Sequence, residues 1–318
     1  MTPTSNGRAS AGSATNCPLC GSLRTFRWLE GPDRFHGRSC VYGLQACSAC
    51  SIVWLLDPPS PEAMSDHYGP AYHRMITRAG EGSAQRWAAH HDVVERLKTD
   101  GAILDIGCSS GSFLETFQGG AWKLSGVEIS APEAERARAR TQADVFVGDI
   151  LDAPFQPGSF DVVTSFDVLE HLHRPREVMA KVFDWLKPNG LVYLGIPNVL
   201  SWEARIFRSY WYGLELPRHL YHFSPQSLKH LMASIGFSEE WVKTPPLTYS
   251  EYSARYVCDS ALQGLGFSRA PLAVPTSPGV PWRVVRKAWR LTGLYAWSHA
   301  AAYAGAGPAI EAVFRKLP

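Results

Sequence analysis

The chain has 318 residues, of which 45% are hydrophobic and 19% charged, with 31 Lys and Arg against 29 Asp and Glu. That composition suits a globular protein with room for one large or two modest domains. A formal charge of +2 gives no electrostatic ground for a nucleic-acid-binding protein, and the absence of an 18-residue apolar run excludes an apolar membrane-spanning helix.

Residues 1–16 are rich in Ser, Thr, Gly and Ala and carry no apolar segment. They read as a disordered lead-in and not as a secretory signal. Without an export signal the expected compartment is the reducing cytoplasm, where disulfides are disfavoured. Cys17-Pro-Leu-Cys20 and Cys47-Ser-Ala-Cys50 then form two Cys-x-x-Cys knuckles with 26 residues between them. Four thiolates so spaced can close a tetrahedral zinc shell with Zn–S bonds of about 2.3 Å. Arg24–Trp28 and Ser39–Leu44 supply the strands of a zinc ribbon over residues 17–60. The competing reading is paired structural thiols or a redox pair, but neither knuckle has the strand–helix context of a redox fold. A closed four-sulfur set has no open position, so the expected metal is structural. Cys40 is left over and reads as a small core residue.

A proline-rich linker, Trp54 to Glu62, leads to Tyr68–His73 and to an amphipathic helix over 84–99, with Trp87, His91, Val94 and Leu97 on its apolar face. The stretch that organises the rest is Ala102–Phe117. A short apolar run ends in Asp105; Gly107 and Gly111 follow, and Phe113, Leu114 and Phe117 open a new apolar spacing. The pattern predicts a buried strand, a glycine turn and a helix beginning near Ser112, whose free N–H groups point at the turn. The third glycine of Gly-x-Gly-x-x-Gly is missing, which argues against a pyrophosphate cradle. An acid at the strand end suits a cationic, ribose-bearing ligand.

These residues resemble the first motif of class I S-adenosylmethionine-dependent methyltransferases, a strand followed by Asp-x-Gly-x-x-x-Gly. The resemblance implies S-adenosyl-L-methionine over the glycine turn, with Cys108 a small residue beside its methionine end. Trp122–Glu128 is the second strand. Its terminal acid stands 23 positions after Asp105, and an acid at that place accepts ribose hydroxyls; Ile129 follows it. Ala131–Thr141 is the crossover helix and Ala143–Val147 the third strand. Beyond it the family has an acid near the adenine amino group, here Asp149, with Ile150 next to it.

Ser159–Asp167 is the fourth strand, ending in Phe166 and Asp167. Asp-Val-Leu-Glu-His171 resembles the run found after this strand in small-molecule methyltransferases. The Asn/Asp-Pro-Pro-Tyr/Phe motif of amino-methylating nucleic-acid enzymes is absent from this position. His171 is either a base for a substrate hydroxyl or a structural cap. Pro175–Leu186 reads as a helix stopped by Lys187–Gly190, and Leu191–Ile196 as the fifth strand. Strands alternating with helices predict an α/β fold, a doubly wound, mostly parallel seven-stranded sheet that binds ligands at its carboxyl ends. Pro217-Arg-His219-Leu-Tyr-His222-Phe-Ser-Pro225 is similar to a family loop that faces the same end. His219 and His222 are therefore candidate bases or loop-pinning residues. A helix from Ser224 to Gly236 and a sixth strand from Phe237 follow.

Residues 282–303 are aromatic, with a basic first half. Such a helix is more often a lid or dimer face than a membrane-surface helix. Ala309–Lys316 is the seventh strand. The expected organisation is thus a lead-in (1–16), a ribbon (17–60), a methyltransferase core with a helical cover (61–249), an insertion shaping the substrate pocket (250–307) and the closing strand (308–318). The expected function is O-methylation of a small molecule or sugar-like intermediate. Two alternatives are an RNA methyltransferase whose ribbon binds RNA, and, more remotely, an NAD-dependent oxidoreductase.

Overall fold

The structure is a computed structural model that describes residues 16–69, 72, 84–246, 250–265 and 294–318. The lead-in as far as residue 15 and residues 282–293 of the basic aromatic segment lie outside the described residues. Among those described, eleven strands form two sheets, and no helix is long and apolar enough to cross a membrane.

The first sheet begins as an antiparallel ribbon of β1 (Thr25–Pro32), β2 (Val41–Cys47) and β3 (Val53–Leu55). Its fourth strand, β9 (Tyr221–His222), comes from the main body. Val53 pairs with His222 and Trp54 with Tyr221, and the Leu55 N–H donates to the Leu220 carbonyl at 2.8 Å. The ribbon therefore shares backbone hydrogen bonds and a core with the body. Cys17, Cys50, Ile52 and Trp54 pack in the same apolar cluster as Phe223, Leu228 and Met232. Cys40, expected in the core, is exposed.

The second sheet contains β4 (Gly101–Ile106), β5 (Trp122–Glu128), β6 (Asp144–Val147), β7 (Phe160–Phe166), β8 (Leu186–Pro197), β10 (Phe237–Lys243) and β11 (Ala309–Lys316). Its order is β10-β11-β8-β7-β4-β5-β6. Only β11 is antiparallel to its neighbours. Side chains alternate across it as the pleat requires. Leu104, Val163, Val192 and Ile310 face one apolar layer; Ile103, Val162, Leu191 and Val313 face the other, with Val94, Ala134 and Ala137. A run buried on both faces is the reason these strands read as continuous apolar stretches.

The crossover helix Ala131–Thr141 carries Pro132 in its first turn and ends at Gln142 in the left-handed conformation. The helix Pro225–Ala233 is fixed by a capping box between Ser224 and Ser227. Two elements differ from expectation. The helix near Ser112 is only a 3-10 turn, Leu114–Phe117, because Gln118 is already extended and Gly119 takes a positive φ. Its apolar residues Phe113, Leu114 and Phe117 are nevertheless buried. Lys187–Gly190 also do not form a separate stop. The helix Pro175–Trp185 passes straight into β8, with Leu186 extended.

Candidate active site

Four acids converge at the carboxyl ends of β4, β5, β6 and β7. Asp105 is buried in β4 and accepts the Thr164 hydroxyl of β7 at 2.7 Å. Burial pushes its carboxyl up to about 7, with Thr164 pulling the other way. Gly107 sits at φ +71°, and a Cβ there would lie 2.5 Å from Val168 Cγ2. Glycine is thus required twice over, by backbone and by space. The N–H groups of Gly107 and Cys108 donate to the Val127 carbonyl at 2.8 and 3.2 Å. Gly111, at φ +78°, lets the turn approach the crossover helix, where its Cβ would be 3.0 Å from Ala137 Cα.

The Cys108 side chain corrects an expectation. It is buried in the core, so close to Gly126 that a Cβ on that glycine would be 2.7 Å from the sulfur. The thiol lies 3.9 Å from the Ser109 carbonyl, and burial, then Asp105 and Glu128, raises its pKa.

Glu128 ties the turn to the end of β5. Its Oε2 accepts the Ser109 N–H at 2.9 Å and its Oε1 the Ser130 N–H at 2.8 Å. Ile129 beside it is 75% exposed, an open apolar face next to an acid. Asp149 is exposed and accepts the Leu151 N–H at 2.8 Å. Ile150, next to it, is buried in the first apolar layer. Asp167 takes φ +57°, and its N–H donates to the Gly195 carbonyl at 2.8 Å.

A polar chain that the sequence did not reveal lies against Phe166 and Asp167. It begins on the helix Ala84–Leu97. Arg86 donates to Asp167 Oδ2 at 2.8 Å and reaches His90 Nε2 at 3.4 Å. His90 Nδ1 stands 2.6 Å from the Tyr193 hydroxyl, which donates to Glu311 at 3.2 Å. His90 also stacks on Phe166, with centroids 4.4 Å apart. Burial, then Arg86, pushes His90 down to about 4. A neutral ring with its proton on Nδ1 satisfies every contact in the chain. The one available signal was a histidine on a helix, which is indistinguishable from a solvated residue.

The three candidate bases have different surroundings. His171 Nδ1 is 3.1 Å from the Arg218 carbonyl and 3.0 Å from the Tyr68 hydroxyl. Burial, then the neighbouring His219, pushes it down to about 3. His219 donates from Nδ1 to the Gly213 carbonyl at 2.8 Å, and its Nε2 faces Glu215 at 3.2 Å. Burial lowers its pKa, but Glu215, together with Glu170 and the Gly213 carbonyl, lifts it above the ordinary value. Glu215 feels burial first, yet Arg218 and then His219 hold it at about 2. Glu170, pushed up to about 8 mainly by burial, has no hydrogen-bond partner for either oxygen among the described residues. His222 has the contacts of a loop-pinning residue, the other role expected for it. It lies in the β3–β9 seam with Nε2 donating to the Leu214 carbonyl at 3.0 Å, and burial pushes it down to about 3.

Among the described residues, two groups of potential metal ligands have donor atoms within 4.8 Å of one another: the four cysteines, and Glu170, His171 and His219. Cys17 and Cys50 sulfurs are 3.6 Å apart, and Cys20 and Cys47 3.7 Å. The edge of a tetrahedron with bonds of about 2.3 Å is roughly 3.8 Å, so the four sulfurs fit zinc.

Residues 81–239 match the family described as a methyltransferase domain. The chain belongs to that methyltransferase family. The ribbon lies outside the matched region. A probable S-adenosylmethionine-dependent methyltransferase of Mycolicibacterium smegmatis is 26% identical over 172 residues, 52% of this chain and 64% of that one. A ubiquinone biosynthesis O-methyltransferase of Xanthomonas euvesicatoria is 32% identical over 113 residues, 33% of this chain and 47% of that one. The chain thus spans less than two thirds of the length of either relative. Two solved structures share the methyltransferase fold. One is a possible histamine N-methyltransferase of Thermotoga maritima (20% identity, TM-score 0.50, covering 77% of this chain and 98% of the other). The second is a SAM-dependent methyltransferase of Archaeoglobus fulgidus (16% identity, TM-score 0.51, covering 77% and 100%).

Proposed function

We propose that this methyltransferase-family chain transfers a methyl group from S-adenosyl-L-methionine to a hydroxyl oxygen of a small molecule. The observation that carries the reading is the convergence of Asp105, Glu128, Asp149 and Asp167 around a glycine turn at φ +71°. When bound, the cofactor supplies an electrophilic methyl on a cationic sulfur. Glu128, at the end of β5, stands for the ribose hydroxyls. Asp149 stands for the adenine amino group, the exposed face of Ile129 for the ring, and Asp105 and Asp167 for the cationic amino-acid end. Phe166 backs this surface. The methionine end contacts the backbone of Gly107, Cys108 and Gly111.

His171 is the acceptor-side base. Burial keeps it neutral, with a lone pair for a substrate proton, whereas Glu215 raises the proton affinity of His219. His219 orients and stabilises charge beside it. Most of the rate then comes from holding acceptor and methyl in line. The O-methyltransferases among the relatives support a hydroxyl acceptor.

The four cysteines hold a structural zinc, with no open position for chemistry. Nucleic acid is disfavoured as a partner because two of the ribbon's arginines, Arg34 and Arg38, are already engaged within the chain. Arg34 stacks over Tyr210 at 4.0 Å and donates to the Ser209 carbonyl. Arg38 donates to the Asp66 carbonyl at 2.8 Å. The test is incubation of the full chain with methyl-labelled S-adenosylmethionine and a panel of hydroxylated metabolites. Calorimetry with S-adenosylhomocysteine and with NAD runs in parallel. Label transfer and homocysteine-analogue binding are expected; binding of NAD alone sinks the reading.

A further inference from the structure

Asp33 follows β1 in the ribbon and is fully buried. One oxygen accepts the His36 N–H at 3.1 Å, and the other stands 2.9 Å from His36 Nδ1 and 3.5 Å from His67 Nδ1. Arg218 of the main body is also fully buried, with Nη1 3.6 Å from Asp33 Oδ1 and Nε 3.6 Å from Glu215 Oε2. The guanidinium lies over Phe35 at 4.7 Å and Tyr72 at 5.2 Å. An arginine this deep is tolerated only when its charge is answered.

The residues around Arg218 are the ones that hold the acceptor-side histidines. The Arg218 carbonyl accepts from His171. His219 is next in sequence, and the Leu220 N–H donates to the Glu170 carbonyl at 2.8 Å. Glu215 is shared: it faces both Arg218 and His219. Counting Asp33 and Glu215 against Arg218 and a protonated His219, the cluster has two negative and two positive charges. Without Asp33, Arg218 would have Glu215 as its sole carboxylate among the described residues and would draw it away from His219.

We infer that Asp33 is a positioning residue for the acceptor site: by answering Arg218 from the ribbon, it leaves Glu215 to hold His219. The ribbon thereby becomes a wall of the site, not an appendage to it. What the histidines do rests on the function proposed above, but their geometry does not.

Other titratable groups face the His219 ring. Glu170 lies 3.9 Å from its Nε2, and the His171 and His222 rings lie 4.5 and 6.0 Å away between centroids. Tyr68 reaches the cluster through His171, and Tyr72 through Arg218. Their side chains are unchanged in the variants used here.

The test is histidine-ring NMR titration of the full, zinc-loaded chain, with the His219 signal assigned by its loss in His219→Gln. In Asp33→Asn the His219 midpoint is expected to fall by about one pH unit or more, as Glu215 turns to Arg218. In Arg218→Met, which leaves Glu215 to His219 alone, the midpoint is expected to rise. General loosening would drive both variants toward the ordinary histidine value, so opposite shifts separate positioning from structural damage. An unmoved midpoint in folded Asp33→Asn, or equal shifts in the two variants, overturns the inference. Should Asp33→Asn fail to fold, the rise in Arg218→Met decides alone, and an unmoved or lowered midpoint there overturns it. S-adenosylhomocysteine affinity is expected to stay within twofold in both. If the wild-type chain binds none, the proposed function fails while the NMR shifts still judge Asp33.

Discussion

Thr164 on β7 donates its hydroxyl across to Asp105 on β4, and this 2.7 Å bond is the one contact that favours the ionised form of a carboxyl buried to 4% exposure. Asp105 titrates at about 7 in the folded chain against 3.8 for an ordinary aspartate. The raised value means that its contribution to stability is greatest at low pH and is lost as pH rises through about 7. A cation bound beside it lowers that value again. Binding of S-adenosylhomocysteine, whose amino group is such a cation, should therefore release a proton between these limits. Calorimetry at pH 6 in buffers of different ionisation enthalpy should give different heats; equal heats would exclude Asp105 as the linked group. Thr164→Val removes the bond, shifts the release to higher pH and weakens binding by roughly tenfold, equivalent to about 1.4 kcal/mol.

Gly107→Ala faces two penalties. The added methyl meets Val168 at 2.5 Å and the backbone is held at φ +71°. Left-handed backbone at a non-glycine residue costs about 1 kcal/mol or more. S-adenosylhomocysteine affinity is expected to drop at least tenfold, while elemental analysis finds the zinc content unchanged. Val168→Ala in the same chain removes the collision but not the backbone cost, so recovery should be partial. Unaltered affinity in Gly107→Ala would remove the turn from the site.

Elemental analysis should find one zinc per chain, and Cys47→Ser should lose it. Cys17 and Cys50 share an apolar cluster with Phe223 and Leu228, so the loss is not confined to the knuckles. A destabilisation of a few kcal/mol would lower Tm by about 5–10 °C. Unchanged melting after complete chelation would show that the ribbon does not need a metal.

Tyr193→Phe breaks the chain from Arg86 through His90 to Glu311. It leaves the His90 Nδ1 proton and a half-buried carboxyl without their partner. The expected cost is about 1–3 kcal/mol, read as a lower urea midpoint with an unchanged slope. A neutral result would mean that water replaces the hydroxyl.

The glycine turn, the strand-end acids and the knuckles were legible because each depends on spacing within a short segment. The core strands were legible because burial on both faces makes them continuously apolar. The seam was not: β9 has two residues, too few to show any period, and its partner β3 lies far away in sequence. Asp33 sits after Gly31-Pro32, where an aspartate ordinarily marks an exposed turn. On the cover helix the apolar pattern pointed to His91, but His90 is the buried one, because a hydrogen bond to Tyr193 and a stack on Phe166 outweigh its polarity. The Cys108 thiol turned inward because Gly126 leaves room for it.

β11 lies between β8 and β10 and pairs with both, although both precede it in the chain. During synthesis on the ribosome, β8 must wait with an unpaired edge until Ala309–Lys316 has emerged. Strand β10 has no neighbour to join before then. Final closure of the sheet is therefore a late event, and a chain interrupted before residue 309 would present an open, apolar strand edge, the kind of surface that chaperones hold and that aggregates recruit.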